Sequence, residues 1–127
     1  LHSFYHQLCS RCATLNYSKR NQSADMGGMI AIVTGGRVRI GYQIALKLLR
    51  AGATVLVTSR YPNDALVRYT KELDYTAWAK QLQVCMCPLE LADIAGVEAF
   101  TAAMRQRFGR IHVLINNAAQ TLTRPVR

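Results

Sequence analysis

Acidic residues are scarce in this sequence, with seven Asp and Glu against sixteen Lys and Arg and a formal net charge of +9. This imbalance indicates an anionic partner, such as a nucleic acid, an acidic lipid or a phosphorylated small molecule. The sequence also lacks any run near the roughly 20 apolar residues that a membrane helix needs, so no membrane span is predicted. Half of the 127 residues are nevertheless hydrophobic, which excludes a wholly disordered chain and suits one domain with its own core.

Residues 1–28 are polar, show no clear hydrophobic period and contain no compact apolar stretch of the kind that a secretory signal needs. They are rich in serine and asparagine, which makes a helix a weak interpretation of this segment. We therefore predict a polar N-terminal extension at 1–28 and a second unit at 29–127. Because the chain begins at Leu1 and ends at Arg127 in a predicted loop, we expect a fragment or a processed product.

Four potential metal ligands or redox groups lie in the extension, namely His2, His6, Cys9 and Cys12. Their spacing is compatible with Zn²⁺, but a single Cys-x-x-Cys pair is only half of the usual zinc signature. The two cysteines are equally compatible with free thiols or with a redox pair. Free cysteines in a reducing compartment are the favoured interpretation, which predicts no bound metal and a cytoplasmic protein. Cys85 and Cys87 alternate with apolar residues in a later strand, so they are predicted to be buried.

From residue 29 onward, predicted strands and helices alternate. Short apolar or β-branched runs predict strands at 30–34, 54–58, 82–87 and 111–115. Apolar residues at helical spacing predict helices over 40–51, over 62–81 with a break near Asp74, and over 94–108. Asp93 is predicted to cap the last helix, and Gly52 and Gly109 are predicted to end two of them. The alternation predicts an α/β fold with a Rossmann-like doubly wound parallel sheet of about four strands.

Three unusual segments, 34–41, 59–60 and 116–119, follow predicted strand ends, where ligands of open α/β sheets bind. The first joins a strand to a helix and reads Thr-Gly-Gly-Arg-Val-Arg-Ile-Gly. Glycine there allows a tight turn close to a ligand, and the free amides at the helix start suit an anion such as a pyrophosphate. An ordinary strand-to-helix connection is the alternative, but the strand–helix–strand context favours a dinucleotide site.

This turn resembles the Thr-Gly-x-x-x-Gly-x-Gly turn of the short-chain dehydrogenase/reductase family, with Arg39 in place of the middle glycine, as in the pteridine reductases of that family. Residues 89–93 resemble the family's adenine-contacting Asp-Leu segment, with Glu90 in place of Asp. Residues 116–119 resemble its Asn-Asn-Ala-Gly motif. The resemblance covers residues 29 to about 125 and is closest to a little-described group of short-chain oxidoreductases for which we can name no substrate.

The end of the second predicted strand bears on which dinucleotide is bound. Folds that bind NAD usually place an acid there for the ribose hydroxyls, whereas an arginine suits the 2′-phosphate of NADP. Residues 58–60 read Thr-Ser-Arg, with no acid before Asp64. Arg37 and Arg39 are expected across the same pocket from Arg60. Three clustered arginines favour NADP(H) as the cofactor, although solvated surface charges are the alternative.

The resemblance implies cofactor-binding residues in the glycine turn and after the other strands. They are Gly35, Arg37, Arg39, Ile40, Gly41, Ser59, Arg60, Glu90, Leu91, Asn117, Ala118 and Ala119. For Glu90, the alternative is a surface acid that pairs with a nearby arginine. For Asn117, the alternative is a side chain that ties strand ends together.

The family's reaction needs a Tyr-x-x-x-Lys pair one helical turn apart, and none of the six tyrosines has a lysine four residues later. No catalytic residue is therefore assigned, and the chain alone is predicted to be inactive. The resemblance implies a parent NADP-dependent oxidoreductase, homo-oligomeric, that transfers hydride to or from a carbonyl or alcohol substrate, without nucleic-acid or membrane partners. A non-catalytic dinucleotide-binding or sensing protein is the alternative. A nucleic-acid binder is less favoured, because no basic helix with interleaved aromatics is present.

Overall fold

The computed structural model describes residues 2–85 and 88–119. Its strands are β1 (Ile30–Thr34), β2 (Thr54–Thr58), β3 (Leu82–Val84) and β4 (Val113–Ile115). They form one parallel sheet in the order β3-β2-β1-β4. The strand order reverses at β1, because β2 and β3 extend the sheet on one side and β4 extends it on the other. This topology confirms the predicted Rossmann-like α/β fold.

Five α-helices lie within the described residues: α1 (Ser10–Arg20), α2 (Arg39–Arg50), α3 (Pro62–Thr70), α4 (Tyr75–Trp78) and α5 (Ile94–Phe108). A single 3₁₀ turn follows α4 at Ala79–Gln81. The helical region predicted over 62–81 is thus divided, and the predicted break near Asp74 is confirmed. At this break the Asp74 carboxylate accepts a 2.6 Å hydrogen bond from Arg50 Nε, which ties the turn to the end of α2.

The third and fourth strands are shorter than predicted, although their pairing continues past their ends. Cys85 N donates to Val57 O at 2.9 Å, and His112 N donates to Ile30 O at 2.9 Å. Cys85 is half-buried rather than fully buried, which corrects the prediction for this residue. The predicted strand end at Cys87 lies outside the described residues, as does the last part of the family resemblance, after residue 119.

Both faces of the two central strands are covered, which explains their uninterrupted apolar sequences. On one face, the side chains of β1 and β2 pack with α2, Tyr69 and Trp78 in a buried core, to which Ala31, Val33, Val55, Val57, Ala45, Leu46 and Leu49 contribute. Ile32 and Leu56 alternate with these residues and are also buried. The register sets Thr34 opposite Thr58 and Val33 opposite Ile115. The chain segments that leave β1, β2 and β4 therefore emerge side by side at one edge of the sheet.

The helix at Ser10–Arg20 was not predicted. Its sequence has no apolar stripe, and of its residues only Ala13 is buried. The polar residues that argue against a helix bond within it: Asn16 Nδ2 donates to Cys12 O at 2.8 Å, and Ser18 Oγ donates to Leu15 O at 2.9 Å. Lys47 Nζ on α2 donates to Arg20 O at 3.3 Å, so α1 ends against the body of the protein. The observed contacts of this helix are therefore local hydrogen bonds and a bond to α2, rather than a buried apolar face.

The predicted boundaries of α5 are confirmed, but its burial is only partial. Asp93 Oδ1 accepts a hydrogen bond from Gly96 N at 3.1 Å, which is the predicted N-cap. Gly109 ends the helix with a φ of 67°, a conformation that favours glycine. The predicted apolar stripe is half-buried along Val97, Phe100, Met104 and Phe108, whereas Ile94 is 73 % exposed. Over residues 2–85 and 88–119, no helix is long and apolar enough to cross a membrane.

Candidate functional site

The turn after β1 lies at the edge where the strands end, and it requires glycine. Gly35 has a φ of +68°, and a Cβ at this residue would lie 3.0 Å from the Cβ of Ala118. The amides of Gly35 and Gly36 donate to Thr58 O at 3.1 and 3.3 Å, which holds the turn against the end of β2. The backbone therefore turns sharply between β2 and the segment after β4, and a side chain at Gly35 would fill that space.

Gly41, in the first turn of α2, packs against Asn117. A Cβ at Gly41 would collide with Asn117 Nδ2 and would lie 2.7 Å from Gly35 O. Asn117 Nδ2 donates to Thr34 O at 3.0 Å and to Gly35 O at 3.2 Å. The amides of Asn117 and Ala118 each donate to Thr34 Oγ1 at 3.1 Å. Asn117 thus ties the ends of β1 and β4 together, as the alternative interpretation of this residue predicted.

Arg39 is the residue that departs from the resembled glycine pattern, and its backbone keeps the conformation of a glycine. It has a φ of 54°, and no other non-glycine residue among those described has a positive φ. This left-handed conformation costs an L-residue about 1–2 kcal/mol. The fold therefore accommodates an arginine at a position that glycine fills without strain.

We expect Arg39→Gly to raise the free energy of unfolding by about 0.5–1 kcal/mol, the strain relieved less the extra freedom of glycine in the unfolded chain. Arg39→Ala is the matched control, since it removes the same charge but keeps the strained Cβ. Urea unfolding of the three proteins measures both effects. An equal gain in Arg39→Ala would attribute the stabilisation to lost charge rather than to relieved strain.

The start of α2 presents backbone donors at this same edge. Val38 precedes the helix in an extended conformation and, among the described residues, makes no side-chain cap; the first turn contains no acid. The first amides of a helix lack intrahelical acceptors and carry a partial positive charge, which together favour an anion. The exposed side chain of Ile40 lies beside them. The turn and the helix start therefore form a cradle suited to phosphate groups.

Two of the three predicted arginines, Arg37 and Arg60, are ion-paired. Arg37 Nη1 lies 2.6 Å from Asp64 Oδ2, which also accepts from Arg68 Nε at 2.9 Å. The hydrogen bonds from Arg68 and Arg37 hold the pKa of Asp64 below its usual value. Arg60 Nη1 lies 3.6 Å from Glu90 Oε2, so the alternative interpretation of Glu90 as a paired surface acid is observed.

Arg37 and Arg60 approach the same aromatic ring, that of Tyr61. Their guanidinium carbons lie 5.2 and 5.9 Å from its centroid. A groove of about 350 Å³ lies between α2 and α3, and Arg39 lines it. One carboxylate, that of Asp64, and four cationic side chains line this groove; the cations are Arg37, Arg39, Arg68 and Lys71. The structure thus brings two of the three predicted arginines to one ring and two of them, Arg37 and Arg39, to one positively charged groove.

The remaining predicted residues divide into structural and exposed ones. Ser59 is buried, and its Oγ accepts from Tyr61 N at 2.9 Å, while its carbonyl accepts from Leu89 N at 3.2 Å. Ser59 therefore shapes the loops after β2 and β3. Leu91, Ala118 and Ala119 are exposed, as is Ile40, and they offer apolar surface in the segments that follow β3, β4 and β1.

The Tyr69 side chain binds the glycine turn, a role that the sequence did not predict. Its hydroxyl donates to Gly36 O at 2.6 Å, and the residue is fully buried. Burial raises the pKa of this hydroxyl above its usual value. Its ring packs 4.7 Å from that of Tyr42, whose own hydroxyl donates to Glu72 Oε1 at 2.6 Å. Tyr69 is one of the apolar residues at helical spacing over 62–81, but this spacing does not indicate that its hydroxyl binds the turn.

The histidines and cysteines of the N-terminal segment do not assemble into a metal site. Among the described residues, which include all four, no group of three or more His, Cys, Asp or Glu is placed to hold a metal ion. His2 Nδ1 instead accepts hydrogen bonds from the amides of Phe4 and Tyr5 at 3.1 and 3.2 Å. The zinc interpretation therefore has no support in the geometry.

Comparison with known proteins identifies the family to which this glycine turn belongs. The family model described as short chain dehydrogenase matches residues 29–127. The chain belongs to the short-chain dehydrogenase family. An uncharacterized protein of Acanthamoeba polyphaga mimivirus is 37% identical over 125 residues, which are 96% of this chain and 27% of that protein. The human dehydrogenase/reductase SDR family member 7 is 29% identical over 102 residues, 80% of this chain and 30% of its own length. The chain thus spans less than a third of either relative.

Solved structures of short-chain dehydrogenases share the fold. The N-domain of a bacterial malonyl-CoA reductase, solved with NADP, is 36% identical with a TM-score of 0.65 over 76% of this chain and 18% of that one. A metagenomic short-chain oxidoreductase in complex with NADP is 29% identical with a TM-score of 0.66 over 76% of this chain and 41% of that one. Both neighbours therefore bind NADP on a fold similar to this one.

Proposed function

We propose that this chain binds NADP(H) at the glycine turn and forms the cofactor-binding part of an oxidoreductase that acts on a small carbonyl or alcohol substrate. The observation that carries this proposal is the close packing of Gly35 and Gly41 against the segment after β4, beside a helix start without an acidic residue. That packing leaves the backbone amides at the start of α2, rather than side chains, at the edge of the sheet. The pyrophosphate of the cofactor would bind there.

The 2′-phosphate of the cofactor would bind Arg60, Arg37 and Arg39. Ion pairs between exposed side chains contribute only about 0.2–1 kcal/mol, whereas a hydrogen bond to a charged group contributes about 1.5–3 kcal/mol. A phosphate at the end of β2 therefore competes successfully with Glu90 for Arg60, whose side chain is 65 % exposed. The absence of any acid at residues 58–63 favours NADP over NAD.

The other predicted residues would contact the rest of the cofactor. Glu90 and Leu91 would contact the adenine, and Ile40 and Ser59 would shape its pocket. Asn117, Ala118 and Ala119 would line the path toward the nicotinamide, where small side chains leave room. The bound nicotinamide supplies or accepts the hydride. No residue of this chain is given a catalytic role, because its sequence contains no Tyr-x-x-x-Lys pair.

We expect the 127-residue chain to bind NADPH saturably and to catalyse no reduction of carbonyl compounds, because it has a cradle for the cofactor but no proton donor held by a lysine. Fluorescence titration with NADPH measures the first property, and NADPH oxidation in the presence of simple aldehydes and ketones measures the second. Steady turnover would contradict the assignment of no catalytic residue.

A nucleic-acid binder is the competing function that the charge of +9 suggests. Titration with duplex DNA at two salt concentrations distinguishes it, because phosphate-backbone contacts give steeply salt-dependent binding. Binding of DNA together with no binding of NADPH would overturn the proposed function.

A further inference from the structure

Cys9 and Cys12 occupy the first turn of α1, a motif that cofactor binding does not use. Cys9 is the N-cap of this helix, in an extended conformation with φ −61° and ψ 154°, and its carbonyl accepts from Ala13 N at 2.8 Å. Cys12 lies three residues later, on the same side of the helix. Both side chains are exposed, so small molecules can reach the sulfur atoms.

The two cysteines are neighbours on one face of the helix start, three residues apart. Hydrogen bonding from the backbone and side chain of Cys12 lowers the pKa of the Cys9 thiol. The same hydrogen bond between the side chains raises the pKa of Cys12. The helix start adds its partial positive charge beside Cys9, and no acidic residue precedes Asp25 in the sequence. This setting stabilises a thiolate on Cys9 in preference to one on Cys12.

We propose that Cys9 and Cys12 form a reversible dithiol–disulfide site that exchanges with small-molecule or protein disulfides, with Cys9 as the attacking sulfur. The exposed position of the pair, the placement of both cysteines in the first turn of one helix and the helix start beneath Cys9 carry the proposal. Such a site is a point of oxidative modification on the N-terminal segment, outside the residues proposed for the cofactor.

The exchange balances in two steps. The Cys9 thiolate attacks one sulfur of a disulfide such as oxidised glutathione, so that one S–S bond forms and one breaks, and a glutathione thiolate leaves. Cys12 then loses its proton to solvent and attacks the sulfur of Cys9, which releases the second glutathione thiolate. In total the two cysteines lose two electrons and two protons. The glutathione disulfide gains the two electrons, and its two thiolates take up two protons from solvent.

Peptide mapping of the unmodified chain tests the proposal. The protein is incubated with oxidised glutathione, its remaining thiols are alkylated, and it is digested with trypsin. Oxidation at the proposed site yields residues 1–19 two hydrogens lighter, or residues 1–11 linked to residues 12–19, because Arg11 lies between the cysteines. Cys85 and Cys87 share a different tryptic peptide, residues 81–105. A disulfide that joins Cys9 or Cys12 to the peptide of residues 81–105 would overturn the proposal.

Single variants identify the attacking sulfur. Cys12→Ser is expected to accumulate a glutathione adduct on residues 1–11, because no second thiol resolves it. Cys9→Ser is expected to react about tenfold more slowly, since Cys12 lacks the backbone hydrogen bonding and the N-cap position that favour a thiolate on Cys9. Both positions are exposed, so the variants should fold as the parent does. Equal rates in the two variants would contradict the role of Cys9, and one tightly held zinc ion per purified chain would overturn the redox site.

Discussion

Arg60→Ala is expected to weaken the binding of NADPH about tenfold or more while leaving the binding of NADH nearly unchanged. Arg60 follows the end of β2, where the 2′-phosphate that distinguishes the two cofactors would lie. A hydrogen bond to a charged group contributes about 1.5–3 kcal/mol, and each 1.4 kcal/mol is tenfold in affinity. The lower part of this range applies, because Arg60 is exposed and must leave Glu90. Fluorescence titrations of the unmodified chain and of Arg60→Ala with NADPH and with NADH measure the effect.

Arg110→Ala is the matched control for this substitution. Arg110 is also an exposed arginine, but it precedes β4 and so lies at the opposite edge of the parallel sheet. Arg110→Ala removes the same charge from the protein at a position far from the proposed phosphate. The affinity of this variant for NADPH should therefore match that of the unmodified chain. Equal losses of NADPH and NADH binding in Arg60→Ala would reject NADP as the preferred cofactor.

Gly41→Ala is expected to destabilise the protein by about 1–3 kcal/mol, the usual range for an overpacked site, and to abolish NADPH binding. The added Cβ would meet the amide of Asn117 and would lie 2.7 Å from Gly35 O. Asn117 can move away only by giving up its hydrogen bonds to Thr34 O and Gly35 O. The junction of β1, α2 and β4 would therefore loosen where the cofactor is proposed to bind.

Gln43→Ala provides the comparison for Gly41→Ala, since Gln43 lies two residues later in α2 and is exposed. Alanine favours the helix at both positions, so a difference between the two variants reports the contact with Asn117 rather than helix propensity. Urea unfolding and NADPH titration are measured on both. Unchanged stability and unchanged binding in Gly41→Ala would show that the junction tolerates a side chain.

The charges of the site illustrate how far the sequence could predict it. The sequence indicated that Arg37, Arg39 and Arg60 lie near the ends of the first two strands. It indicated an arginine partner for Glu90 only as an alternative and none for Asp64, because each pair joins segments that follow different strands. Only the register of β1, β2 and β3 brings those segments together.

The glycines of the turn show the same division. Their order in the sequence predicted a tight strand-to-helix connection, and the structure has it. The reasons for each glycine are contacts with distant residues: Ala118 at Gly35, Asn117 at Gly41. The φ of Arg39, in turn, shows that the backbone keeps a glycine conformation where the sequence has none. A local pattern can name the turn, but it does not contain these contacts.

The sequence by itself determined the order of strands and helices from β1 to β4, the parallel sheet and the glycine turn, because apolar runs, helical spacing, Asp93 and Gly109 act within a few residues. It did not determine α1, whose sequence has no periodic apolar pattern and of whose residues only Ala13 is buried. The ion pairs of the arginines, the hydrogen bond from Tyr69 to the turn and the contact of Gly41 with Asn117 were decided only by the tertiary structure. Each of them joins residues far apart in the chain, and such contacts form only when the sheet brings its strand ends to one edge.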